Sequence, residues 1–156
     1  MASKYRNAGQ TCVCANRILV QEGVFDAFAE KLVAAVNALK MGNGAEEGIT
    51  VGPLINDGAY EKVTEIMNEA TSKGAKVLVG GGGNEGHGGN FFEPTVLVDV
   101  DDTMMVYNEE IFGPIAPLFR FKTEEEAIRI GNDTPFGLSA YFYSRDIGRI
   151  WRVAEG

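Results

Sequence analysis

The chain reads as an α/β protein, a mostly parallel open sheet with helices on both faces. Three observations carry that expectation. Short apolar runs bounded by turn residues alternate with longer segments whose apolar residues recur at helical spacing. The intervening helical segments are long enough to serve as crossovers between parallel strands. Twenty glycines and five prolines among 156 residues are too many for a helical bundle but suit repeated strand-to-helix turns.

Taken in order, Arg17-Ile18-Leu19-Val20-Gln21 has the apolar content of a buried strand. Phe25, Phe28, Leu32, Ala35, Val36 and Leu39 then follow a helical period, and Met41-Gly42-Asn43-Gly44 supplies the stop. A second helix is expected after Asn56-Asp57, burying Tyr60, Val63, Ile66, Met67 and Ala70 and ending at Gly74 in a left-handed cap. Lys76 to Val79 and Thr95 to Val100 read as strands, the latter entered through Pro94, where a missing N–H costs least.

Ile115 to Phe121 is a third apolar run. Thr123 and Glu126 behind it form a capping box for a helix that should end at Gly131. Ser139 to Tyr143 gives a further strand, and Asp146 caps a terminal helix whose Ile147, Ile150, Trp151 and Ala154 are expected to form a buried stripe. That last helix, reaching Gly156, reads as cut off partway, so the chain is expected to be part of something longer.

A net charge of −8, with Lys and Arg scattered, gives no electrostatic footprint for nucleic acid or an anionic membrane. No apolar run approaches the roughly 20 residues that span a bilayer, and the N-terminus lacks a signal-peptide layout. A cytoplasmic location with reduced thiols is the default expectation. The 2 cysteines, Cys12 and Cys14, are neither a secreted disulfide framework nor a zinc site, which would need a second ligand pair, so no metal is expected. Gly80-Gly81-Gly82-Gly83 lacks dinucleotide-fingerprint spacing and reads as a flexible connection. The sole histidine, His87, lies in the same glycine-rich segment and would have to fold onto Cys12 to make a Cys–His hydrolase.

The informative stretch is Tyr5-Arg6-Asn7-Ala8-Gly9-Gln10-Thr11-Cys12-Val13-Cys14-Ala15-Asn16-Arg17. A thiol attacks carbonyls only as thiolate and only where substrate reaches it. Lys4 and Arg6 lie close in sequence, Gly9 permits a tight path, and the backbone N–H of Cys12 could help hold an oxyanion. Both thiols could equally be small buried hydrophobes. Cys14 could act as a resolving thiol for an oxidised Cys12 or simply pack. Arg6 lies about 9 Å from Cys12 along a helical path and roughly 20 Å along an extended one. Only a compact path would bring its planar, bidentate fork to a ligand held at Cys12, and Arg6 could equally be a surface arginine. Glu109-Glu110 could be a solvated pair and Phe112 a core residue; alternatively, Glu110 could accept both ribose hydroxyls while Phe112 packs on a sugar or ring.

These residues resemble the active-site signature of the NAD(P)-dependent aldehyde dehydrogenases: Asn7-Ala8-Gly9-Gln10-Thr11-Cys12 followed by Ala15-Asn16-Arg17. The likeness runs on through Val51-Gly52-Pro53-Leu54-Ile55, Glu93-Pro94-Thr95-Val96-Leu97, Asn108-Glu109-Glu110-Ile111-Phe112-Gly113-Pro114 and Asn132-Asp133-Thr134-Pro135-Phe136-Gly137-Leu138-Ser139-Ala140. It implies the catalytic domain of an aldehyde dehydrogenase fold over residues 1–156, with the cofactor-binding domain and a C-terminal oligomerisation segment lying outside.

The same resemblance implies Cys12 as nucleophile, working through a thiohemiacetal and a thioester. It implies Glu110 and Phe112 as contacts to the nicotinamide riboside of NAD or NADP, and a homo-oligomeric full-length enzyme. The stretch from Arg6 is most similar to the succinate-semialdehyde branch, in which an arginine at this position grips the substrate carboxylate; other semialdehyde or hydroxyaldehyde oxidisers remain alternatives. The family's glutamate base and oxyanion asparagine lie upstream of the cysteine. The segment alone is therefore expected to be inactive, and as an isolated chain it could act only as a structural or interaction module.

Overall fold

A computed structural model describes residues 1–83, 86 and 88–156. Its sheet has four strands, β1 (Ile18–Gln21), β2 (Lys76–Val79), β3 (Thr95–Val98) and β4 (Ile115–Phe121), in the order β1-β4-β3-β2. β4 is parallel to both β1 and β3, with Ile18 opposite Leu118 and Thr95 opposite Ile115. β2 closes the other edge antiparallel to β3, with a register shift between Val77 and Val79. The mostly parallel expectation holds.

Side chains that alternate along the strands sort into two cores. Leu97, Ile115 and Phe119 pack with Val63, Ile66, Met67 and Ala70 of α3 (Asp57–Ser72). Val96, Val98, Ala116 and Leu118 face the other way, onto Phe25, Ala29 and Val36 of α2 (Phe25–Asn37). Helices therefore cover both faces. Pro117 is tolerated in the central strand because it precedes the first β1–β4 pair, so its missing N–H removes no bond from that ladder.

Local signals place the ends. Asn56 accepts from Ala59 N–H at 2.9 Å to start α3, and Gly74 follows its end in the left-handed region at φ 105. Thr123 accepts from Glu126 N–H at 3.2 Å at the start of α5 (Glu124–Asn132). Glu126 reaches back to Lys122 N–H at 2.7 Å, one residue earlier than a standard capping box. β3 stops at Val98 rather than Val100, because Asp99 turns left-handed with φ 56.

Two expectations fail near the C-terminus. Ser139–Tyr143 is not a strand: among the described residues no strand hydrogen-bonds to it, and Tyr143 is 86% exposed. An apolar run forms a strand only when another backbone completes its ladder. The stripe on α6 (Ile147–Glu155) is likewise exposed, Ile147 at 68% and Trp151 at 62%. α6 is held by polar contacts instead: Arg149 and Arg152 both donate to Glu124 at 2.8 Å, and Asn132 donates to Gly156 O at 3.0 Å.

The glycine run after β2 is not a slack tether. Gly81 N–H donates to Thr95 Oγ1 at 2.9 Å, and a Cβ on Gly80 would lie 2.4 Å from Pro94 O. The His87 reading lies outside the described residues. Among those residues, no helix is long and apolar enough to cross a membrane.

Candidate active site

The cysteine-bearing segment begins at α1 (Ala2–Tyr5), which is fastened under the sheet by Tyr5: its hydroxyl donates to Thr95 O at 2.9 Å. Burial pushes that phenol above its ordinary range. From Arg6 the chain doubles back through two consecutive left-handed residues, Asn7 at φ 53 and Ala8 at φ 55. Gln10 locks this path on both sides. Its Nε2 donates to Asn7 O at 3.2 Å and to Pro53 O at 3.3 Å, while its Oε1 accepts from Ile55 N–H at 2.8 Å.

Cys12 then sits exposed at the second position of a turn closed by Cys14 N–H donating to Thr11 O at 2.8 Å. Among the described residues the backbone N–H of Cys12 has no acceptor. Cys14, at the fourth position, is half-buried, with Sγ 4.0 Å from Arg6 O. The path from Arg6 to Cys12 is therefore compact, and Arg6 is exposed.

Lys4, read from the sequence as a cation near the cysteines, is not the solvated lysine that its place in a short first helix suggests. It is 3% exposed, and no carboxylate pairs with it among the described residues. Burial lowers it to about 8, with a Cys14 thiolate pulling the other way. Below pH ~8 both folded and unfolded chains are protonated, and the fold carries the full cost of the buried charge; the native amine sheds its proton first, so stability rises with pH until the unfolded lysine also titrates near 10.4. Lys4→Met is expected to stabilise the chain at pH 7 by ~1–3 kcal/mol. Urea unfolding should show that advantage shrinking towards pH 10.

The second half of the site is the loop after α4 (Met105–Asn108). Glu110 is exposed, and its carboxylate takes no hydrogen bond or ion pair among the described residues. Phe112, 39% exposed, adopts φ 48. The two loops meet backbone to backbone: a Cβ on Gly9 would lie 2.1 Å from Gly113 O. Asn16 joins them further, donating from Nδ2 to Glu109 O at 2.7 Å and accepting at Oδ1 from Ile111 N–H at 2.8 Å. Arg17 stacks 4.5 Å over the Tyr107 ring and donates to Asp133 O at 3.0 Å, bracing the start of β1. Cys12, Glu110 and Phe112 are thus carried by two interlocked loops, with Arg6 on the same turn system as Cys12.

The structure thus presents an exposed thiol on a tight turn, docked against a loop that offers a free carboxylate and a partly open aromatic ring, on the mostly parallel sheet of an α/β domain. The chain belongs to the aldehyde dehydrogenase family, whose sequence profile matches residues 1–156. It is 66% identical over 153 residues to glutarate-semialdehyde dehydrogenase of Pseudomonas putida, covering 98% of this chain and 31% of that protein. It is 58% identical over 155 residues to the NADP(+) succinate-semialdehyde dehydrogenase GabD of Escherichia coli, covering 99% and 32%. The crystal structure of succinate-semialdehyde dehydrogenase from Burkholderia pseudomallei superposes with a TM-score of 0.96 at 60% identity, again over 99% of this chain and 32% of that one. The chain spans about a third of the length of these relatives.

Proposed function

We propose that these residues are the nucleophile-bearing catalytic domain of an enzyme that oxidises a short carboxylated aldehyde, succinic semialdehyde or its near homologue, to the acid. The observation that carries this reading is the interlock at Gly9, Gly113 and Asn16, which ties the loop bearing an exposed Cys12 to the loop bearing Glu110 and Phe112. Membership of the family and the substrates in the names of its relatives support it.

On this reading Cys12 Sγ bonds to the aldehyde carbon, giving a thiohemiacetal whose oxyanion is held by the N–H of Cys12. Glu110 and Phe112 fit a nicotinamide riboside by their chemistry: an unpaired carboxylate suits two vicinal hydroxyls, and an open ring face suits a sugar or flat heterocycle. NAD or NADP, when bound, accepts the hydrogen and electron pair leaving the carbon. A thioester on Cys12 remains; water adds to it, the S–C bond breaks, and the acid departs with the thiolate restored.

The base for that water and the second oxyanion donor are assigned to the rest of the full-length enzyme, so residues 1–156 alone are proposed to be inactive. Cys14, two places along the same turn, has the spacing of a resolving thiol for an oxidised Cys12. Exposed Phe136, Leu138, Tyr143, Ile147 and Trp151 support a covered surface in a homo-oligomer. The chemistry needs a compartment that keeps both thiols reduced, the cytoplasm in the first instance.

Arg6 is assigned to the far carboxylate of the substrate, supported by its exposure on a path that folds back beside Cys14. In the full-length enzyme Arg6→Ala is expected to lower kcat/KM for succinic semialdehyde by about 30- to 100-fold, the loss of a charge-assisted bidentate contact. Butanal, which lacks the carboxylate, should lose only about threefold. Equal losses on both aldehydes would remove Arg6 from the substrate site.

A further inference from the structure

The backbone that carries Glu110 is gripped from two sides by side chains. Glu109 is extended, with φ −99 and ψ 147, and its N–H is already spent on Met105 O at 2.8 Å. Its carbonyl accepts from Asn16 Nδ2 at 2.7 Å, and the next N–H but one, that of Ile111, donates to Asn16 Oδ1 at 2.8 Å. One carboxamide thus pairs with the two backbone groups that flank Glu110, as a neighbouring strand would. From another element Lys62 Nζ donates to Glu110 O at 2.6 Å. Ile111, fully buried, anchors the same backbone in the core.

With both peptide planes around Glu110 fixed, the direction of its Cα–Cβ bond is fixed too, and only side-chain rotation remains. The carboxylate is left without a partner among the described residues. Asparagine suits this task because a single short side chain presents a donor and an acceptor side by side. Aspartate would keep only the acceptor, and alanine neither.

We propose that Asn16 is a positioning residue for cofactor binding: from the cysteine loop it presents the Glu110 carboxylate to the ribose hydroxyls of the nicotinamide half of the cofactor. The proposal rests on the assignment of Glu110 made above. It adds a physical link between the nucleophile segment and the cofactor edge, through a residue that touches neither substrate nor cofactor.

The test is a double-mutant cycle in the full-length enzyme, with Kd for NADH or NADPH read from nicotinamide fluorescence. Asn16→Ala is expected to weaken binding about tenfold, and Asn16→Asp by an intermediate factor. The alkylation rate of Cys12 by iodoacetamide, measured without cofactor, should change by less than about twofold in both variants. In a Glu110→Ala background the Asn16→Ala change should add almost nothing, since the contact it supports is already gone.

Additive effects of the two changes, an unchanged Kd in Asn16→Ala, or an alkylation rate that falls in step with Kd would each overturn the proposal. Should Asn16→Ala not fold, Asn16→Asp in the same cycle gives the same decision. If Glu110→Ala itself leaves Kd unchanged, the assignment of Glu110 falls, a result separate from failure of Asn16 alone.

Discussion

Cys12→Ala in the full-length enzyme is expected to lower kcat for semialdehyde oxidation by at least about 10³-fold, because on the proposed reading it removes the thiol that forms the covalent adduct. The alternative thiol is only two residues away, so the comparison with Cys14→Ala is essential. Cys14 is half-buried and directed at the Arg6 carbonyl, whereas Cys12 is exposed at the second position of the turn. Cys14→Ala should therefore retain turnover within about threefold. Cofactor binding provides the internal control: Kd for NADPH should be nearly unchanged in Cys12→Ala, since the Glu110 loop is tied to Asn16 and not to the sulfur. A Cys12→Ala enzyme that still turns over, or a Cys14→Ala enzyme that does not, would move the nucleophile to the other thiol.

Gly9→Ala is expected to be the most damaging small substitution in the segment. Alanine at φ 78 carries a conformational cost of about 1–2 kcal/mol. The added methyl would also lie 2.1 Å from Gly113 O and 2.5 Å from Gly113 C, and neither is the end of a flexible side chain. The Gly113 backbone has little room to retreat, since Asn16 and Lys62 hold residues 109–111 just ahead of it. The combined loss should reach ~3 kcal/mol or more. Gly44→Ala, where an added Cβ meets nothing within 4 Å, should stay within about 1 kcal/mol. Urea midpoints that coincide for the two variants would show that the loops do not interlock as described.

Much of this architecture is legible in the sequence because it rests on local signals. The period of α3 and its Asn56 cap, the left-handed Gly74, and the apolar runs of β3 and β4 each depend on residues within a few positions of one another. Cys12, Glu110 and Phe112 emerge from short motifs for the same reason. What stays hidden is nonlocal. Asn16 is visible only as part of a motif, because its partners lie 93 and 95 residues away. Lys4 looks like a surface lysine, and only the packing around α1 buries it. Ser139–Tyr143 has the composition of a strand, yet composition supplies no ladder partner. The apolar residues of α6 mark an amphipathic helix correctly but do not say that their face is covered.

The joining of the two loops also bears on how the chain shapes its cysteine turn. Closing contacts across more than 90 residues carries a large entropy cost, and such contacts form late along a folding route. The cysteine turn is made well before the segment it meets, and the two loops join only after β4 and the segment ahead of it have docked. Until then the sulfur belongs to a floppy peptide, open to oxidants and alkylating agents. Setting the proposed nucleophile in place is in this sense a finishing step, timed by the completion of the sheet.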